Sequence, residues 1–125
     1  MVDKILLVED DKVLAQMYQD KLSVQGFDVI GVDTGKKALT ILKSYTPDII
    51  LLDIMLPGGM NGFDVLQILK KDEKLKKIPV IVLTNLDSEK NTALDLGATA
   101  YIIKSDTPLE DLVGLIKKQT KRSLF

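Results

Sequence analysis

Ile5-Leu6-Leu7-Val8 runs directly into Glu9-Asp10-Asp11, and Ile49-Ile50-Leu51-Leu52 runs directly into Asp53. Short apolar runs with polar residues before them and turn chemistry after them read as strands buried on both faces, the pattern of a parallel sheet. Parallel neighbours end on one edge, so Glu9, Asp10 and Asp53 are predicted to converge there. Two carboxylates about 4 Å apart repel by roughly 4 kcal/mol at an effective dielectric of about 20. A cluster of this kind opposes folding. The simplest reason to keep it is a hard divalent cation held by oxygen, and Mg²⁺ suits a small, hydrated carboxylate site. The pattern points to phosphate chemistry.

The bulk numbers narrow the field. A chain of 125 residues makes one domain, 1–125, with room for a full core. It is 46% hydrophobic and 28% charged with a net charge of −1, which offers no basic surface for direct nucleic-acid binding. Cysteine and histidine are both absent, so disulfides, thiolate catalysis, His triads, His metal ligands and a phosphohistidine on this chain are excluded. No apolar stretch approaches the roughly 20 residues of a membrane span and no signal peptide opens the chain, so a cytoplasmic protein is expected.

Strand-like and helix-like periods alternate from end to end. A helix is predicted over Lys12–Val24, with Leu14, Met17, Tyr18 and Leu22 on one face and Gly26 as its stop. Phe27–Val32 is a second strand. Thr34 caps a helix that carries Ala38, Leu39, Ile41, Leu42 and Tyr45 and ends ahead of Pro47. The third strand is Asp48–Asp53, and Asn61 caps a helix with Val65, Leu66 and Leu69 as its core stripe. Pro79 introduces a fourth strand, Val80–Leu83. Ser88–Leu96 is a short helix of middling formers ended by Gly97. A fifth strand, Ala100–Ile103, leads to Lys104, and Thr107-Pro108-Leu109-Glu110 reads as a capping box before a helix with Leu112, Val113 and Ile116. Five strand–helix units imply an α/β fold, a doubly wound parallel sheet with helices on both faces.

In such sheets ligands bind beyond the C-terminal strand ends. There this sequence places Glu9 and Asp10, then Asp53, Thr84 and Lys104. An aspartate can be a nucleophile that forms an acyl phosphate. A metal and an ammonium can neutralise phosphoryl oxygens, and a hydroxyl can donate a hydrogen bond to one of them.

With these residues assembled, the whole chain resembles the receiver domain of two-component response regulators. The motifs are Ile5-Leu-Leu-Val-Glu9-Asp10-Asp11, Asp48-Ile-Ile-Leu-Leu-Asp53-Ile-Met-Leu-Pro57, Pro79-Val-Ile-Val-Leu-Thr84 and Gly97-Ala-Thr-Ala-Tyr101-Ile-Ile-Lys104. The resemblance implies a (βα)5 fold with strand order 2-1-3-4-5. It implies that Asp53 accepts a phosphoryl group from a phosphohistidine on a sensor histidine kinase or a histidine phosphotransfer protein. It further implies Mg²⁺ held by Asp10, Asp53, the Met55 backbone carbonyl and, mainly through water, Glu9. Lys104 contacts the phosphate, Thr84 moves toward it, and Tyr101 turns inward behind Thr84. The surface of the fourth helix, fifth strand and fifth helix then changes for a downstream protein target or output domain. The receiver is a signalling switch rather than a metabolic enzyme, catalysing only its own phosphorylation and dephosphorylation.

Some positions depart from the family pattern. Ser105 stands where most receivers have a proline after the lysine. Asn85 follows Thr84, where a small residue is common, and can crowd or hydrogen-bond the phosphate. Leu56-Pro57-Gly58-Gly59-Met60-Asn61-Gly62 looks one residue longer than the usual loop. Ala100 replaces an acid often used in dimer salt bridges, so a monomer or weak dimer is expected. Met55 and Leu86 flank the site and are read as tuning water access and slowing hydrolysis. Asp11 is read as a helix cap. Gly31–Lys37 only imitates a phosphate-binding loop, because three residues rather than four separate its glycines and Lys37 stands where Ser or Thr is needed. Lys70–Lys77 is a solvated helix end. Two rivals remain: a phosphohydrolase, disfavoured by Met55 in place of a second acid and by the lack of room for a cap, and a phosphorylation-independent pseudo-receiver interaction module. The chain ends at Lys121–Phe125, shortly after the last predicted helix.

Overall fold

The computed structural model describes residues 3–121; the stretch Arg122–Phe125 at the end of the chain lies outside them. Its elements are β1 (Lys4–Val8), α1 (Lys12–Val24), β2 (Asp28–Val32), α2 (Gly35–Ile41), β3 (Ile49–Leu52), α3 (Gly62–Lys71), β4 (Val80–Thr84), α4 (Lys90–Asp95), β5 (Ala100–Ile103) and α5 (Leu109–Lys121). All strand pairs are parallel, in the order β2-β1-β3-β4-β5. Residue parity builds the two faces, because successive strand side chains point to opposite sides. Leu6, Val8, Ile50, Leu52, Val80 and Val82 face one way, onto Ala38, Val65, Leu66, Leu69 and Ala93 of α2, α3 and α4. Ile5, Leu7, Ile49, Leu51, Ile81 and Leu83 face the other, onto Tyr18 and Leu22 of α1 and Leu112, Val113 and Ile116 of α5.

The α1 boundaries match the sequence reading, and Asp11 does cap it, its Oδ1 accepting the N–H groups of Val13 and Leu14 at 3.0 Å. Asn61 likewise caps α3, within a reciprocal capping box closed by Asp64.

Other boundaries moved. Phe27 precedes β2, and Asp48 and Asp53 flank β3 rather than belonging to it, while β4 extends through Thr84. The second helix does not reach Tyr45. It gives way at Ile41 to i→i+3 turns, Lys43 N–H to Thr40 O and Ser44 N–H to Ile41 O, and the Lys4 ammonium lies 5.9 Å from the Tyr45 ring centroid. The fourth helix starts at Lys90, two residues after Ser88, with no side-chain cap. The last helix starts at Leu109. The Pro108 carbonyl accepts from Leu112 N–H, so the proline occupies the cap position rather than the first helical one.

Candidate functional site

The chain reverses direction across the sheet between β1 and β3. Val8 pairs in register with Leu52, and Asp53 N–H donates to Val8 O at 3.1 Å, so the residues just past both strands are neighbours. Carboxylate oxygens of Glu9, Asp10 and Asp53 all lie within 4.8 Å of one another. Glu9 and Asp53 are buried and Asp10 is exposed. Lys104, arriving from the end of β5, places its ammonium against both buried acids. It donates to Asp53 Oδ2 at 2.7 Å and to Glu9 Oε1 in a short contact. The side chains of Lys104, Glu9 and Asp53 are 8%, 2% and 8% exposed, so solvent screens this triad weakly.

Backbone donors hold the remaining oxygens. Asp11 N–H reaches Glu9 Oε2 at 3.1 Å, and Met55 N–H reaches Asp53 Oδ1 at 3.2 Å. Burial pushes the Glu9 carboxyl above the ordinary range, against the opposing pull of Lys104 and Asp11 N–H. Burial also works to lower Lys104, but its hydrogen bonds to Asp53 and Glu9 outweigh it and carry the ammonium upward. Three ionised carboxylates and one ammonium leave two negative charges uncompensated. An oxygen-rich donor set with that deficit fits a hard divalent cation.

The start of α3 locks the loop that follows Asp53. Gly62 N–H donates to Ile54 O at 2.8 Å, and a Cβ on Gly62 would sit 2.2 Å from the Asp53 carbonyl oxygen. Only glycine allows that approach. The sequence reading singled out Asn61 but not Gly62; an Asn-Gly pair at the helix start after the acid was the available signal. Within that loop Gly58 and Gly59 take φ values of 88° and 82°, which other residues rarely adopt.

The family model of the response regulator receiver domain matches residues 5–117. The chain belongs to the response regulator receiver family. It is 38% identical over 125 residues to the DNA-binding response regulator MtrA of Mycobacterium tuberculosis, covering 98% of this chain and 53% of MtrA. The receiver thus spans about half the length of the curated relatives it matches. Among solved structures it superposes on the phosphorylated cyanobacterial phytochrome response regulator RcpA with a TM-score of 0.80 and 33% identity, covering 97% of this chain and 93% of that one. It also superposes on the receiver domain of the sensor histidine kinase PA1611 of Pseudomonas aeruginosa, which has a magnesium ion coordinated in its active-site cleft. There the TM-score is 0.86 at 25% identity, covering 96% and 98% of the two chains. The strand order and (βα)5 architecture expected of a receiver are present.

Of the other residues expected at a receiver's site, Thr84 and Met55 lie on the same edge of the sheet, and Tyr101 lies inside β5, paired with Val82. Thr84 ends β4 with 1% exposure, and its Oγ1 accepts from Leu86 N–H at 3.4 Å. Tyr101 on β5 packs against the α3/α4 side of the core and its hydroxyl donates to Leu86 O. Met55 is 62% exposed at the rim. Asn85 Oδ1 accepts from Ser105 N–H at 3.1 Å. Ser105 lies in a single 3₁₀ turn, Lys104–Asp106, and no peptide bond among the described residues is cis. An open cleft of about 380 Å³ borders the acidic pair, lined in part by Lys12, Gln16 and Lys37. Among the described residues no helix is long and apolar enough to cross a membrane.

Proposed function

We propose that the whole chain is one cytoplasmic receiver domain that takes a phosphoryl group onto Asp53 in a Mg²⁺-dependent phosphorelay reaction. The donor is a phosphohistidine on a sensor histidine kinase or a histidine phosphotransfer protein. The observation that carries this reading is the convergence of Glu9, Asp10 and Asp53, with Lys104 bonded to both buried acids.

Asp10, Asp53, the Met55 carbonyl and Glu9, the last mainly through water, would hold Mg²⁺, which would supply charge neutralisation for phosphoryl oxygens. An Asp53 carboxylate oxygen attacks phosphorus, the P–N bond to the donor imidazole breaks, and the electron pair returns to the ring nitrogen. Lys104 passes from the carboxylates to the phosphoryl group and compensates its charge. The Thr84 hydroxyl turns to an equatorial oxygen, and Tyr101 fills the space behind it. Phosphorylation adds about −1.5 to −2 charges, enough to reset those polar contacts.

The face formed by α4, β5 and α5 then presents a changed surface to a downstream protein or to an attached output domain. Any DNA contact belongs to such an output domain and not to this receiver. Hydrolysis of the acyl phosphate, slowed by Met55 and Leu86 at the rim, resets the switch, and the receiver works as a monomer or weak dimer.

Intact mass after incubation with acetyl phosphate and Mg²⁺ tests the reading. One phosphoryl adduct is expected on the native chain, and none on Asp53→Asn or without metal. A folded protein that takes no adduct from acetyl phosphate or from a phosphorylated histidine kinase would instead be a phosphorylation-independent interaction module.

A further inference from the structure

The last rung between the strands that carry Thr84 and Lys104 is the Thr84–Ile103 pair. Beyond it the two chains leave the sheet, and Lys104 enters the 3₁₀ turn that aims its ammonium at Asp53 and Glu9. No side-chain cap closes that turn from the residue preceding it. The contact made instead comes from just past the end of the neighbouring strand, where Asn85 Oδ1 accepts the Ser105 N–H at 3.1 Å. It stands in for one more rung at the point where the backbone ladder stops.

We infer that Asn85 is a positioning residue for Lys104, acting through the backbone N–H of Ser105 and coupling the Thr84 loop to the lysine. The inference rests on the phosphoacceptor reading above.

Each residue type suits the task. Proline at 105 would have no N–H to give. Alanine at 85 would have no acceptor. Aspartate would accept the bond but bring a negative charge beside an incoming phosphoryl anion, whereas asparagine accepts it without charge. The same short loop is tied at two further points, Leu86 N–H to Thr84 Oγ1 and Tyr101 hydroxyl to Leu86 O. A shift of Thr84 toward phosphate therefore moves Asn85 as well, and through Ser105 it moves the root of Lys104. The hydroxyl and the ammonium answer the phosphoryl group together.

The test measures phosphoryl-adduct formation from phosphoramidate and Mg²⁺ on the full chain, with Mg²⁺ affinity read by calorimetry and Ser105 amide exchange by NMR. Asn85→Ala and Ser105→Pro should each slow adduct formation about three- to tenfold, the range one lost hydrogen bond supplies. The double variant should be no slower than the slower single, because both remove the same bond. Ser105→Ala keeps the N–H and should keep the rate. Asn85→Ala should leave Mg²⁺ affinity unchanged and strip protection from the Ser105 amide, which a general loss of structure would not do selectively.

Multiplicative rate losses in the double variant, or a Ser105→Ala variant as slow as Ser105→Pro, would overturn the inference. A native chain that takes no phosphoryl group in this assay overturns the phosphoacceptor reading, and the positioning role with it. A native rate left intact by Asn85→Ala overturns the positioning role alone.

Discussion

The connections after β3 and β4 both leave the centre of the sheet at the site edge, yet they are held in different ways. The loop after β3 is fastened by backbone. Gly62 N–H bonds to Ile54 O, Gly62 lies against the Asp53 carbonyl, and the α3 that follows has ten residues, a reciprocal capping box and four buried positions. The loop after β4 is fastened through side chains of Thr84, Asn85 and Tyr101, and leads to a six-residue α4 with no side-chain cap and one buried residue, Ala93. Gly97 stops α4 with paired bonds, its own N–H to Leu94 O and Ala98 N–H to Ala93 O, so the helix is defined at its end more firmly than at its start. Backbone packing keeps Asp53 still, while an arrangement of single side-chain bonds has alternatives close in energy. The proposed phosphoacceptor thus sits on the stiff connection, and Thr84 and Asn85 on the pliable one.

The largest effect expected from this contrast is at Gly62. A Cβ there would lie 2.2 Å from Asp53 O and 2.7 Å from the Ile54 Cα, both backbone atoms that must move. Gly62→Ala should destabilise the fold by roughly 3 kcal/mol, read from urea unfolding, and should slow phosphoryl uptake by displacing Asp53.

Cap changes separate the two helices further. Asn61→Ala removes the side-chain arm of the capping box, Asp64 N–H to Asn61 Oδ1, and should lower global stability by about 1 kcal/mol. Glu89→Ser supplies the cap that α4 lacks and should slow amide exchange of Lys90–Asp95 by roughly 0.5 kcal/mol, with the global unfolding midpoint little changed. If both changes moved global stability alike, α3 and α4 would belong to one cooperative unit and the contrast would fail.

The smallest effect is a pH dependence. Lys104 binds its proton more tightly in the folded state, with a pKa above the ordinary 10.5. Its contribution to stability is therefore complete below about pH 10.5 and is lost as pH climbs through the higher folded value. Alkaline unfolding curves of the native chain and Lys104→Met should converge over that window, while ¹³C NMR of the lysine ε-carbon locates the titration.

Much of this site was legible because each residue follows a strand whose own sequence announces it. Asp53 follows Ile49–Leu52, Thr84 closes Val80–Leu83, and Lys104 follows Ala100–Ile103, so local pattern alone sent them to one edge. Asp11 and Asn61 were equally readable, since a cap bonds to N–H groups two or three residues away. Less legible were features that depend on partners distant in sequence. Tyr45 leaves its helix for a place beside Lys4, and Pro47 restricts the residues ahead of it. Asn85 meets Ser105 because β5 ends beside β4. Glu9, expected to act on a metal mainly through water, also bonds to Lys104.

The pattern of apolar runs and helical periods settled, before any tertiary contact, that the strands are buried on both faces and that acids, hydroxyl and lysine share one rim. Periodicity is a property of the local backbone and needs no knowledge of which strand lies next to which. Which carboxylates Lys104 would pair with, how closely α3 could approach Asp53 and which side chains tie the Thr84 loop were decided only when the strands took their order. Hydrogen bonds and steric contacts act over a few ångströms, and only the folded sheet brings residues as far apart as Glu9 and Lys104 within that reach.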